Sequence, residues 1–354
     1  MLSFLRRLFG GSAKGSGLLT PPAGRGDAAP LAGSSASPRQ TTRARASTAV
    51  QAEPAVPDEK LLQDELRERL AASLRKLDDA LMGEHRRSND VVLLMRALRQ
   101  DPIAGIRQLP VAAQRALALL HGEAPTKMLV DLLERDPAMA QALLRQVNST
   151  YYNPSGTHIL SLADAINRMG RVGVQSVVFE QSLTGMVSRP GGDLDAMAQQ
   201  VWNHMVRTAP IARQLAPAFD VAPDEAFLLG LLHDVGKLVV FDRITELRGT
   251  QRRPLTVDRR DVSRALRLIH EPLGGLVVQQ WGLESGIARA IGSHHREPVP
   301  AARDGLCEVI YVAERVDLAQ NRKEAPDLEA IWSAGELTGD RAAVAEILGI
   351  VLSS

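Results

Sequence analysis

Apolar residues recur every three to four positions from Glu59 onward. In DEKLLQDELRERLAASLRKLDDALMG, the residues Leu61, Leu62, Leu66, Leu70, Leu74 and Leu81 share one face of a 3.6-residue period. The same spacing predicts helices at 89–99 and 110–121. Along the body it predicts further helices at 126–135, 137–147, 161–170, 172–187, 194–216, 223–234, 258–268, 272–281, 284–294 and 305–319. Start signals support several of them. Asp136 precedes Pro137, a cap followed by a first-turn proline. Ser161 with Asp164 resembles a capping box, and Pro223 with Asp224 opens the run into LLGLLHDVGKLVV at 228–240. The two VVF triplets, at 177–179 and 239–241, fit buried helix or turn better than strand. The expected fold class is all-α, a multi-helix bundle.

The periodicity also divides the chain. Residues 1–58 are rich in Gly, Ala, Ser, Pro and Thr and are expected to be a disordered tail, since so few large apolar residues cannot offset ordering entropy. A helical extension follows at 59–107, then a body at 108–318 and a C-terminal helical tail at 319–354. The extension reads as amphipathic bundle helices, with pairing to a partner helix as the alternative. Residues 1–50 carry seven Lys/Arg against one Asp, a local net of +6. Leu2, Phe4, Leu5, Leu8 and Phe9 beside Arg6 and Arg7 allow a weak contact with a membrane surface; alone, so short a segment binds marginally.

Composition narrows the function classes. The chain has 354 residues, 45% apolar and 23% charged, the balance of a globular protein. A net charge of +1 gives no global attraction to a polyanion, and 3% aromatics leave little to stack bases on, so no direct nucleic-acid partner is expected. The single cysteine, Cys307, excludes an internal disulfide and a cysteine-built zinc site. No apolar run approaches the roughly 20 residues of a membrane span, and the N-terminus lacks a secretory h-region. The expected setting is reducing and cytoplasmic.

The candidate chemistry lies in the histidines. Of eight, His204, His233, His270, His294 and His295 fall in or beside helices of one window. His85, His121 and His158 stand outside it and read as structural or exposed. Taken singly, an interior histidine is ordinarily a hydrogen-bonded core residue, but histidines on separate bundle helices can converge on one interior site. His233 and Asp234 are adjacent, about 100° apart around a helix, so both face one pocket only near its rim. Gly236 is expected to end that helix. Imidazole and carboxylate suit Zn, Mn or Fe, and Asp234 could bridge two ions. Two ions activate water and neutralise a phosphate oxygen, and Lys237 would then contact the phosphate.

These residues are similar to the HD superfamily of metal-dependent phosphohydrolases. The upstream half narrows the resemblance to the HDOD domain. LLERDPAMAQALLRQVNSTYY at 132–152 has its DP, leucine-rich helix and NS-x-YY, and SLADAINRMGRVGVQSVV at 161–178 has its AI-x-R-(L/M)-G. The resemblance covers roughly 108–316. It implies an all-helical bacterial signalling domain, related to cyclic-di-GMP phosphodiesterases but generally regulatory. By position it makes His204, His233, Asp234, His270, His294 and His295 ligands of one or two divalent metals (Mn, Fe, Zn or Mg). Glu314, in IYVAERVD, stands where the superfamily has an aspartate, and Asp317 one turn later reads as a surface charge. No GYP follows HHREP, so cyclic-di-GMP hydrolysis has little support.

Asn148 and Ser149 read as satisfying backbone groups at a helix end, Tyr151 and Tyr152 as packing at the core rim, and Gly170 and Gly173 as allowing a tight turn between helices. Two functions follow. The first is a non-catalytic regulatory module that binds protein partners in a signalling pathway. The second is an active metal-dependent phosphohydrolase on a nucleotide or other phosphoester, with Asp234 and Lys237 as its catalytic groups. A membrane-peripheral scaffold is a third, lesser reading.

Overall fold

The computed structural model describes residues 58–351, apart from 83–88, 105–108, 123, 188–193, 250–257 and 301–304. The tail, its membrane contact and His85 lie outside the described residues. Among the described residues there is no strand, and no helix is long and apolar enough to cross a membrane.

The leucine ladder of the first helix dictates its docking. α1 (Asp58–Met82) buries Leu62, Leu66, Leu70, Leu74, Leu77 and Leu81, while Leu61 faces solvent. α2 (Asn89–Gln100) follows, then α3 (Val111–His121), α4 (Thr126–Leu133) and α5 (Pro137–Val147). Asp136 caps α5 by accepting from the Met139 amide at 3.1 Å, as its sequence signal predicts. Asn148 does the work expected at the helix end: its amide donates to the Leu144 and Ile159 carbonyls and its oxygen accepts from Ile159 N. The Ser149 hydroxyl does not share it and has no hydrogen-bond partner among the described residues.

α6 (Leu162–Val187) is two helices joined across a kink at Gly170, whose φ of 68° is the break the sequence places there. Gly173 lies within the second, where a Cβ would meet the Tyr152 hydroxyl at 2.7 Å, so it serves packing and not the turn. α7 (Asp195–Leu215) leads through a short 3-10 turn to α8 (Pro223–Leu232) and α9 (Val235–Gly249). α10 (Arg259–Gln280) runs unbroken through Pro272, where the sequence predicts a gap between two helices. The proline is buried among apolar neighbours of the same helix, and that packing outweighs its lost donor. α11 (Ser285–Ile291), α12 (Leu306–Arg322), α13 (Leu328–Gly335) and α14 (Arg341–Leu348) complete the order. The C-terminal segment is tied down: Trp332 stacks on Phe219 at 6.0 Å and donates to the Gly339 carbonyl.

The helices come together through two close backbone approaches and one side chain seated on glycines. A Cβ on Gly230 of α8 would lie 2.7 Å from Ala209 Cα of α7, so these two helices touch backbone to backbone. A Cβ on Gly236 would lie 2.0 Å from the His270 carbonyl oxygen, pressing the start of α9 onto α10. Leu66 of α1 fills a hollow left by Gly275 and Gly292, where a Cβ would meet it at 2.9 and 2.6 Å. Gly236 therefore starts a helix against a neighbour rather than ending one, which corrects the sequence expectation. The backbone contact leaves no room for relaxation. Gly236→Ala is expected to lose about 3 kcal/mol or more of unfolding free energy in urea titration. Gly122→Ala, whose nearest neighbour would be at an ordinary 3.5 Å, should change it by less than about 0.5 kcal/mol.

Candidate metal centre

The break between α8 and α9 decides the site. α8 ends at Leu232; His233 is its C-cap, still with αR dihedrals (φ −53°, ψ −35°), and with Asp234 it forms the turn before α9. The turn carries both side chains inward, 0% and 1% exposed, rather than to the rim expected from continuous helical geometry. α7 supplies His204, α10 supplies His270, the turn after α11 supplies His294 and His295, and α12 supplies Glu314. All seven candidate ligands come together, in two groups: Asp234, His270, His294 and His295 in one, and His204, His233 and Glu314 in the other.

Hydrogen bonds to the outer ring nitrogens fix the tautomers. His233 Nδ1 lies 2.8 Å from the Gly230 carbonyl, His270 Nδ1 2.7 Å from that of Leu266, and His294 Nδ1 2.7 Å from that of Ile291. A carbonyl only accepts, so each Nδ1 carries the proton and each Nε2 faces inward with a lone pair. His204 Nε2 then lies 3.2 Å from His233 Nε2, and His270 Nε2 lies 3.3 Å from His294 Nε2. Facing lone pairs at that distance repel unless a cation or a proton sits between them. Two nitrogens about 2.1 Å from one ion and about 90–110° apart are separated by about 3.0–3.4 Å, which both pairs match.

Asp234 lies between the pairs. Its Oδ2 is 3.9 Å from His204 Nε2 and 3.6 Å from His233 Nε2. Its Oδ1 is 3.6 Å from His270 Nε2 and 3.5 Å from His294 Nε2. Oδ1 is buried with no hydrogen-bond partner, an orphaned acceptor that a cation would satisfy. Glu314 reaches the first pair, with Oε1 3.9 Å from His204 Nε2, and its Oε2 is 3.2 Å from His295 Nδ1. The donor set, the lone-pair directions and the orphaned oxygen all fit divalent metal. Lys237 Nζ rests 2.7 Å from Asp234 Oδ2, an ion pair rather than a free phosphate contact.

The protonation states follow from burial and charge. Burial lowers the His233 pKa to about 3, and burial with the Lys237 ammonium holds His270 well below the imidazole range. Burial alone would raise Asp234, but the Lys237 ammonium and the His233 ring outweigh it and hold the carboxyl well below its usual range. Glu314 is likewise held low: burial opposes this, and the His295 and His294 rings prevail. His294 moves the other way: burial opposes, but the Asp234 and Glu314 carboxylates raise it.

Two residues of the site escape the sequence reading. Asp317, read as a surface charge, is 2% exposed and accepts from His204 and from Arg207. The available signal was spacing: Asp317 follows Glu314, and Arg207 follows His204, by one helical turn. His121 and His158 are exposed and away from the centre, as expected.

A helical frame around this histidine–carboxylate centre defines the class, and the sequence families supply the rest. The HDOD domain family model matches residues 106–297, more than half of the chain, and the chain belongs to the HDOD family. An uncharacterized protein of Treponema pallidum (strain Nichols) is 27% identical over 213 residues, 56% of this chain and 39% of that protein. The chain thus spans well under half of that relative. A crystal structure from Shewanella amazonensis SB2B, described as a candidate metal-dependent phosphohydrolase, has a TM-score of 0.53 at 16% identity, covering 73% of this chain and 97% of the other. An HDOD domain protein of unknown function from Geobacter sulfurreducens has a TM-score of 0.50 at 19% identity, covering 73% and 95%. At these identities the two structures establish the shared fold.

The buried imidazoles give metal-free protein a defined pH response. A histidine whose pKa is lower folded than unfolded takes up a proton on unfolding once pH drops below about 6.5. Its stability contribution is whole above that pH and is lost as pH falls. His233 and His270 should each contribute a slope of about 1.4 kcal/mol per pH unit between pH about 6 and 4.5. His294, raised on folding, has the opposite sign: its contribution is present below about 6.5 and lost as pH rises through its folded value. Urea unfolding at a series of pH values checks this, and His233→Gln should remove one share of the acid slope.

Proposed function

We propose that this chain is a regulatory HDOD protein that holds a pair of divalent metal ions in its core and acts through a protein partner rather than by turnover. The observation that carries the reading is the count of donors at each half. His204, His233, Glu314 and Asp234 Oδ2 converge on one, and His270, His294, His295 and Asp234 Oδ1 on the other. Four protein donors per ion make a closed set of the structural type, whereas catalytic sites keep a position open for water or substrate. The longer Glu314 in place of aspartate fills space in the same direction. Binding would tie five segments of the bundle to one point, so occupancy would control how firmly α7, α10 and α12 are held. A protein partner is the role implied by the family.

Phosphohydrolysis is the second reading, favoured by one observation. Lys237 and His295, 18% and 36% exposed at their side chains, leave the centre reachable from solvent. With six-coordinate ions the same donors would leave positions open for a phosphoester. In that case the ions would supply an activated water and charge neutralisation, while Lys237 would hold the anionic group and the Nδ1 bonds would keep the rings oriented.

Elemental mass spectrometry of untagged protein tests the first part. One to two equivalents of Zn, Mn or Fe are expected, absent from a His233→Ala/Asp234→Ala variant. Adding the bound metal to stripped protein at about 100 times its Kd should raise stability by about 2.7 kcal/mol, seen as a higher melting temperature. Hydrolysis of a generic phosphodiester or nucleotide by the loaded protein, above the His233→Ala background, would shift the assignment to the second reading.

A further inference from the structure

Three of the five converging imidazoles, His233, His270 and His294, give their Nδ1 proton to main-chain carbonyls, those of Gly230, Leu266 and Ile291. His204 differs. Its Nδ1 lies 2.6 Å from Asp317 Oδ2, a carboxylate on α12 one turn beyond Glu314. The same carboxylate is held from the solvent side by Arg207, with Nε donating to Oδ1 at 2.7 Å and Nη2 to Oδ2 at 2.9 Å. Asp317 is 2% exposed, and both of its oxygens are engaged on the Nδ1 side of the His204 ring, opposite the Nε2 that faces His233.

We propose that Asp317 is a positioning residue of the centre, fixing the tautomer and orientation of His204 and thereby setting the cation affinity of the His204–His233–Glu314 half alone. A carboxylate accepts a shorter, stronger bond than a carbonyl does and raises the basicity of the opposite nitrogen. In the other half His270 and His294 are held by peptide carbonyls, and the one carboxylate on a ring, Glu314 Oε2 at 3.2 Å from His295 Nδ1, is itself a candidate ligand rather than a residue behind the site. Arg207 locks the carboxylate in register through a bidentate pair. Asp317 lies beyond the 106–297 span of the family match, so this control is a property of the chain outside that span. The inference rests on the metal-binding reading above.

Two measurements test it. The first is ¹⁵N NMR of the imidazoles in metal-free wild-type protein, at a pH above the imidazole range. His204 is expected to be protonated at Nδ1; protonation at Nε2 overturns the proposal without any variant. The second is calorimetric titration with Zn²⁺ of wild type, Asp317→Ala and Asp317→Asn. Asparagine keeps an oxygen acceptor for Nδ1–H and lacks the charge. Asp317→Ala should weaken one of two equivalents by about 10–100-fold and leave the other unchanged, and Asp317→Asn should recover part of that loss. Unchanged affinities overturn the proposal, as does equal weakening of both equivalents, which would mark a packing role. If wild type takes up no Zn²⁺, the metal reading fails and the affinity claim falls with it, while the tautomer measurement still decides whether Asp317 orients His204.

Discussion

An imidazole has two nitrogens, and in this core each of the four central rings has one of them tied to a fixed acceptor. Gly230, Leu266 and Ile291 supply carbonyls, and Asp317 supplies a carboxylate. Those four bonds force the remaining nitrogens to face one another, and everything else in the bundle accommodates the result. The helices must approach closely enough for rings on different elements to meet. Hence α7 and α8 touch at Gly230, and the start of α9 presses on α10 at Gly236. Asp234 reaches both pairs from the turn between α8 and α9. Lone pairs facing at 3.2 and 3.3 Å repel, which a cation or a proton between them would relieve.

Much of this was legible in the sequence because it rests on local signals. The leucine spacing gave the helices, and Asp136–Pro137 gave an entry that the structure repeats. The family resemblance rested on motifs and is matched over 106–297. Where sequence reasoning fell short, the deciding contact was tertiary. Gly236 resembles a helix stop until the His270 carbonyl beside it is known. Pro272 resembles a break until its burial within α10 is seen. Asp317 resembles a surface charge because its partners, His204 and Arg207, lie more than a hundred positions away in sequence. The convergence of the histidines was legible only through spacing and resemblance; their tautomers were not, since they depend on main-chain carbonyls that carry no residue identity.

The site and the family match do not share boundaries. Glu314 and Asp317 lie past residue 297, yet both are buried against the central histidines. The last two helices are joined to this end as well, because Glu308 of α12 accepts from Thr338 and Gly339. The N-terminal side behaves alike. Gln279 of α10 donates to the Glu59 carbonyl, and Arg248 of α9 pairs with the buried Asp90 of α2.

Leu66 shows what that continuity means for anyone dividing the molecule. It sits in a hollow made by two missing side chains, Gly275 and Gly292, the second of them two residues before His294. A fragment cut to the family boundaries would keep the socket and lose the plug. It would present to water an apolar dent at the back of its own histidine pair, where a foreign side chain could lodge or copies could adhere. The natural unit for biochemistry is therefore longer than the unit recognised by homology, and it begins at the leucine ladder.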